Sequence, residues 1–169
     1  MAISMYAASV PVFKQILNSL NDVLHKAEAH ALEKKIDPGV FLQARLFPDM
    51  FALTRQVQIA ADFAKGASAR LAGADVPSYE DNEQTFADLY ARIAKTLAFI
   101  ESLPSAKIDG SEAREITIQP GTPRERKFAG QPYLLHYALP HFFFHVTTAY
   151  AILRHNGVNI GKGDFIGTF

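Results

Sequence analysis

The chain has 169 residues, with seventeen Lys and Arg balanced by seventeen Asp and Glu, and no cysteine. That length suits a single domain over residues 1–169, and a 49% apolar, 20% charged composition excludes a disordered chain. Zero net charge argues against a nucleic-acid or anionic-membrane partner, and the missing cysteine excludes disulfides, thiolate metal sites and a cysteine nucleophile while fitting a reducing, cytoplasmic setting.

The first helix is expected to start near Met5 or at Ser9. Ser9 would be its N-cap and Pro11 would sit in the first turn, where a missing N–H costs little. Val12, Phe13, Ile16, Leu17, Leu20, Val23 and Leu24 recur with helical spacing. His25 to Lys35 is helical in composition but mostly alanine on its apolar side, and Asp37-Pro38-Gly39 should end the element. After a short piece over Val40 to Leu46, Pro48 opens a second helix running to about Leu71, with Gly73 as its stop. A third helix follows Pro77, with Ser78 and Asp81 as a capping box and Phe86, Leu89, Tyr90, Ile93, Leu97 and Ile100 as its buried stripe.

The pattern then changes. Arg114 to Ile118 alternates and is β-favouring, Gln119 to Pro123 is turn chemistry, and Arg124 to Phe128 returns, which together predict a small hairpin. Pro132 opens a fourth long helix that reaches His155 or Asn156 before Gly157. Its Tyr133 to Leu153 stretch is about as long as a membrane span, but three histidines and a proline within it favour a buried helix of a soluble protein. No leader is visible at the N-terminus. The tail, Val158 to Phe169, is glycine-rich and shows no period. Four long amphipathic helices with one inserted hairpin predict an all-α four-helix bundle.

Chemistry concentrates in Pro140-His141-Phe142-Phe143-Phe144-His145. Two histidines four apart on a helix stand on one face about 6 Å apart and can share a divalent ion. Leu134, Ala138, His141, His145, Thr148 and Ile152 form one stripe, so the pair should point inward or line a cleft. Pro140 cannot donate to the carbonyl of His136, which predicts a kink just before the pair. The structural alternative is a pair of hydrogen-bonded core histidines. His25 and His30 lie on a charged, alanine-rich segment and read as exposed, and His155 sits where a cation suits a helix end. No phosphate-binding glycine loop and no nucleophile elbow occurs, and no catalytic residue is singled out.

Several segments carry a family likeness: Ser4-Met5-Tyr6, Ser9 to Phe13, Pro48 to Phe51, Gln56 to Ala60, Ala64-Lys65-Gly66, Asp109 to Glu112, Phe142 to Tyr150 and Leu153 to Gly157. With these the chain resembles the DinB/YfiT-like metalloenzyme superfamily, and within it a bacterial DinB-like family of unknown function. The resemblance implies a four-helix bundle of up-down-down-up topology and frequent homodimers. It also implies a metal held by three histidines, one from the second helix and two, four apart, from the fourth. His141 and His145 match that pair. The second helix has no histidine, and Gln58 stands at the best-matching position; its neutral amide is a poor ligand for zinc or nickel. Asp62, one turn on, could complete the set, or else pair with Lys65 or Arg55 as an ordinary surface acid; Asp49 is a weaker candidate.

Two function classes therefore stand. One is a small-ligand-binding or self-associating domain with a degenerate metal site, with no cofactor, whose cleft is lined by Gln58, Asp62, His141, His145, Tyr6 and Tyr137. The other is a metal-dependent enzyme, a thiol-dependent transferase or isomerase or a hydrolase, using His141 and His145 with zinc or nickel. In the first class, Asp62 or Gln58 is expected to hydrogen-bond one imidazole. A homodimer is expected in either case: thirteen phenylalanines exceed what one bundle interior uses, and the tail, with Phe165 and Phe169, needs a surface of its own chain or of a second copy.

Overall fold

A computed structural model describes residues 3–168. The chain runs α1 (Val10–Lys34), α2 (Pro38–Gln43), α3 (Leu53–Ala72), α4 (Phe86–Glu101), α5 (Ser105–Ile108), β1 (Glu115–Ile118), β2 (Arg126–Ala129), α6 (Gly130–Pro132), a π-helical turn (Tyr133–Ala138), α7 (Leu139–His155) and α8 (Lys162–Ile166). The protein is mostly helical, with one two-stranded antiparallel sheet. Helix α3 is central, packing on α7 and α4, while α1 packs on α4, α7 and α3. Apolar faces of the helices meet: Phe13, Leu17, Leu20 and Leu24 of α1, Val57, Ala60, Ala64 and Leu71 of α3, and Leu89 and Ile93 of α4 are all buried. On α7 the expected stripe holds only in part: His145, Thr148 and Ile152 are buried with Phe142 and Ala149, while His141 is exposed. Phe13 meets Phe142 edge to face, with ring centroids 4.9 Å apart.

Helix α1 is unbroken through the alanine-rich segment and ends at Lys35, in the left-handed conformation with φ 56°. Asp37 does not end it; its carboxylate accepts the Gly39 N–H and caps α2. The predicted second helix starts five residues later than expected, at Leu53 rather than Pro48. Arg45 holds the preceding segment as a turn by donating to the carbonyls of Pro48 and Met50, and the Leu53 N–H donates to Ala44. The third helix also starts later. Its capping box is Thr85 with Asp88, because Asp81 is taken up by Arg55 and Arg92 and cannot cap at Ser78.

The hairpin forms where the alternation placed it, with Glu115 opposite Ala129 and Ile118 opposite Arg126. Ile116 and Ile118 turn inward, as period-two alternation requires. Gly130 then starts the return into α7. A Cβ there would run into the Ser111 carbonyl oxygen, and the Gln131 N–H donates to Glu112, so the entry to α7 is locked to the loop before the hairpin. Just before Pro140, where a kink is expected, the chain is a π-helical turn, in which the Leu139 N–H reaches back five residues to Leu134.

The tail corrects its aperiodic reading. Lys162–Ile166 is a helical turn lying on α1, where Ser19 and Gln15 donate to the carbonyls of Asp164 and Ile166, Lys26 pairs with Asp164, and Phe165 packs on Tyr150. The surface it needs is therefore supplied within its own chain; Phe169 lies outside the described residues. Among the described residues, no helix is long and apolar enough to cross a membrane.

Candidate functional site

The site forms where α7 emerges from the π-helical turn beside α3 and the hairpin. His145 is buried, with 8% of its surface exposed, while His141, one turn earlier, is exposed. Both imidazoles are fixed through Nδ1. His141 Nδ1 lies 2.7 Å from the Tyr137 carbonyl oxygen, which can only accept, so Nδ1 carries the proton. His145 Nδ1 lies 2.7 Å from Gln56 Oε1, and Gln56 Nε2 donates to the Phe51 carbonyl at 3.1 Å. That second bond orients the amide with its oxygen toward the ring, so His145 is also an Nδ1–H tautomer. Each imidazole thus keeps an unprotonated Nε2. Burial first, then the nearby His141 and Arg55, push the His145 pKa down to about 4, so it is neutral at physiological pH.

Aromatic rings frame the pair. Phe63 of α3 lies nearly parallel to His141 at 4.7 Å and to His145 at 6.1 Å between centroids. Tyr137 packs on His141 at 4.3 Å, and Phe144 meets His145 edge-on at 5.2 Å. Outside this cluster two adjoining clefts share the walls Ile118, Gln119 and Tyr137. The outer one, about 380 Å³, is bounded by His141 and the hairpin residues Arg124 and Arg126. The inner one, about 180 Å³, is bounded by Phe63, Asp62, Arg70 and Tyr133. They form one groove between α3, the π-helical turn and the hairpin.

Of the residues named from sequence, His141, His145 and Tyr137 come together, and Asp62 reaches only the edge of the groove. The Asp62 carboxylate turns to Lys65 at 2.8 Å and to Arg92 at 3.0 Å, and away from the imidazoles. Gln58 faces the other side of α3, accepting from Arg55 and donating to Glu83 at 2.7 Å. Tyr6 lies elsewhere: its backbone N–H donates to Asp109, and it borders neither cleft. The expected imidazole partner, Gln58 or Asp62, is thus corrected to Gln56, which sequence reasoning missed. Two residues separate Gln56 from Gln58, about 200° around a helix, so a small error in facing selects the wrong glutamine. Asp62 and Gln58 belong instead to a network centred on Arg92. That guanidinium, 2% exposed, also pairs with Asp81 at 3.0 Å and Glu83 at 2.7 Å.

A zinc or nickel centre of the superfamily kind requires three protein donors. Here two imidazoles stand without a third: Asp62 is held by cations, Gln56 is used in orienting His145, and no group of three His, Cys, Asp or Glu side chains converges among the described residues. The donor set does not fit a three-ligand ion.

The chain is a DinB-like domain of unknown function. A solved structure described as a DinB family member protein from Shewanella denitrificans is 42% identical, spans 97% of this chain and 92% of its own, and superposes with a TM-score of 0.89. The chain belongs to the family named Domain of unknown function (DUF1993), whose model matches residues 5–166. No curated protein matches it.

Proposed function

We propose that this DinB-like domain binds a small molecule in the groove beside His141, on an up-down-down-up four-helix bundle whose ancestral metal site is degenerate. The observation that carries this reading is the pair of Nδ1–H bonds to Tyr137 and Gln56, which leaves Nε2 of the exposed His141 as a fixed acceptor at the groove wall. The missing third donor supports it. A ligand N–H or O–H would meet that acceptor, while Phe63 and Tyr137 would cover its apolar body.

One observation favours a second reading, a metal-dependent enzyme: metal-binding histidines characteristically have the remote N–H anchored and Nε2 bare, as both do here. Metal analysis of protein purified without tag or chelator separates the two. The groove reading expects no stoichiometric metal. Zinc or nickel at one per chain, lost in His145→Ala, would overturn it.

We also infer a homodimer, supported by the exposure of Phe144 and Phe51 near the same site, 58% and 56%. A light-scattering mass that stays at 18.6 kDa over a tenfold concentration range would overturn that inference.

A further inference from the structure

Arg70 lies at the inner end of the groove and has almost nothing to do there. Its guanidinium carries five N–H donors, yet among the described residues its one side-chain hydrogen bond is a long one, 3.3 Å, to the Tyr133 hydroxyl. No carboxylate pairs with it among the described residues. The acid on the same wall, Asp62, is already neutralised by Lys65 and Arg92. Arg70 is nonetheless positioned. It folds back along α3 over Gly66, where a Cβ would lie 2.5 Å from Nη1. A glycine in the middle of a twenty-residue helix is intrinsically unfavourable, and here its missing side chain is the space that the guanidinium occupies.

We propose that Arg70 is the anion-recognising group of the groove, and that the ligand is a small carboxylate with a flat apolar body. This rests on the groove being a ligand site. The planar fork of a guanidinium matches a carboxylate through two parallel bonds. Phe63, Tyr133 and Tyr137 supply walls for a ring, and the inner cleft of about 180 Å³ compares with the roughly 150 Å³ that accepts benzene in an apolar cavity. At the mouth, Arg124 and Arg126 outnumber the one acid that lines the same cleft, Glu125, which accepts from the Gly121 N–H, and the balance there is positive.

The test uses benzoate and its neutral isostere benzamide, titrated into the full chain and followed by calorimetry and by the NMR signals of Arg70 Nε–H, Tyr137 and His141. Benzoate is expected to bind and to shift Arg70, with benzamide weaker by about tenfold or more, as loss of a charge-assisted hydrogen bond implies. Gly66→Ala is the decisive variant. Its methyl displaces only the end of a flexible side chain, so the protein should fold and melt normally while benzoate weakens by about tenfold; Arg70→Gln should weaken benzoate equally. Equal binding of benzamide and benzoate, or unchanged benzoate affinity in folded Gly66→Ala, overturns the role of Arg70 but leaves the groove reading intact if Tyr137 and His141 still shift. Absence of any shift in the groove with either probe overturns both.

Discussion

Lowering the pH should destabilise this protein through His145 in particular. The ring is buried, its Nδ1–H is committed to Gln56, and the neighbours of its other face are the Phe63 and Phe144 rings. A second proton would go to Nε2, and none of the groups acting on the ring is an acid that could stabilise it. The folded pKa of about 4 lies below the ordinary 6.5, so between those values the unfolded chain binds a proton that the folded chain refuses. The stabilisation is thus complete above pH 6.5 and is lost as the pH falls toward 4. At about 1.4 kcal/mol per tenfold, the full difference has a ceiling of about 3 kcal/mol, and partial solvent screening at the groove reduces it to about 2 kcal/mol.

The assay is urea unfolding at a series of pH values, wild type against His145→Asn. The variant lacks the titrating ring, so the difference between the two profiles reports what that ring contributes. Between pH 7.5 and 5 the wild type should lose about 1–2 kcal/mol more than the variant. Parallel profiles, or a wild type that gains relative stability in acid, would refute the reasoning.

Three further outcomes are expected. Gln56→Leu removes the acceptor of a buried N–H and should cost about 1–3 kcal/mol in chemical denaturation. Arg92→Met strands Glu83, whose side chain is 8% exposed, while Asp62 keeps Lys65 and Asp81 keeps Arg55, and should cost about 3 kcal/mol, the loss of one partner from a buried ion pair. Thr85→Ala should lower stability by about 1 kcal/mol, and Ser78→Ala should change it by less than about 0.5 kcal/mol, because the cap of α4 belongs to Thr85 and Asp88.

Much of the helical layout was legible in the sequence because apolar side chains must share one face of a helix to be buried, and that spacing is written residue by residue. Phe13 to Leu24, Val57 to Leu71 and Phe86 to Ile100 name their elements and core faces directly, and Gly73 names a helix end through the left-handed turn it adopts. The hairpin was equally plain, from its alternation around Pro120-Gly121. Helix starts were not. Asp81 and Asp88 look alike as capping acids, and the choice fell to Arg92 and Arg55, which come from other parts of the chain to claim Asp81.

The site divides the same way. The histidine pair and its shared face follow from four-residue spacing, which local helix geometry sets. Whether a third donor reaches the pair depends on which cation holds Asp62 and which way α3 is turned, and these are consequences of packing. Tertiary structure therefore replaced Gln58 with Gln56 and turned Asp62 away from the imidazoles. It also brought Arg70 to the groove, since an arginine folded over a glycine leaves no periodic signal to read.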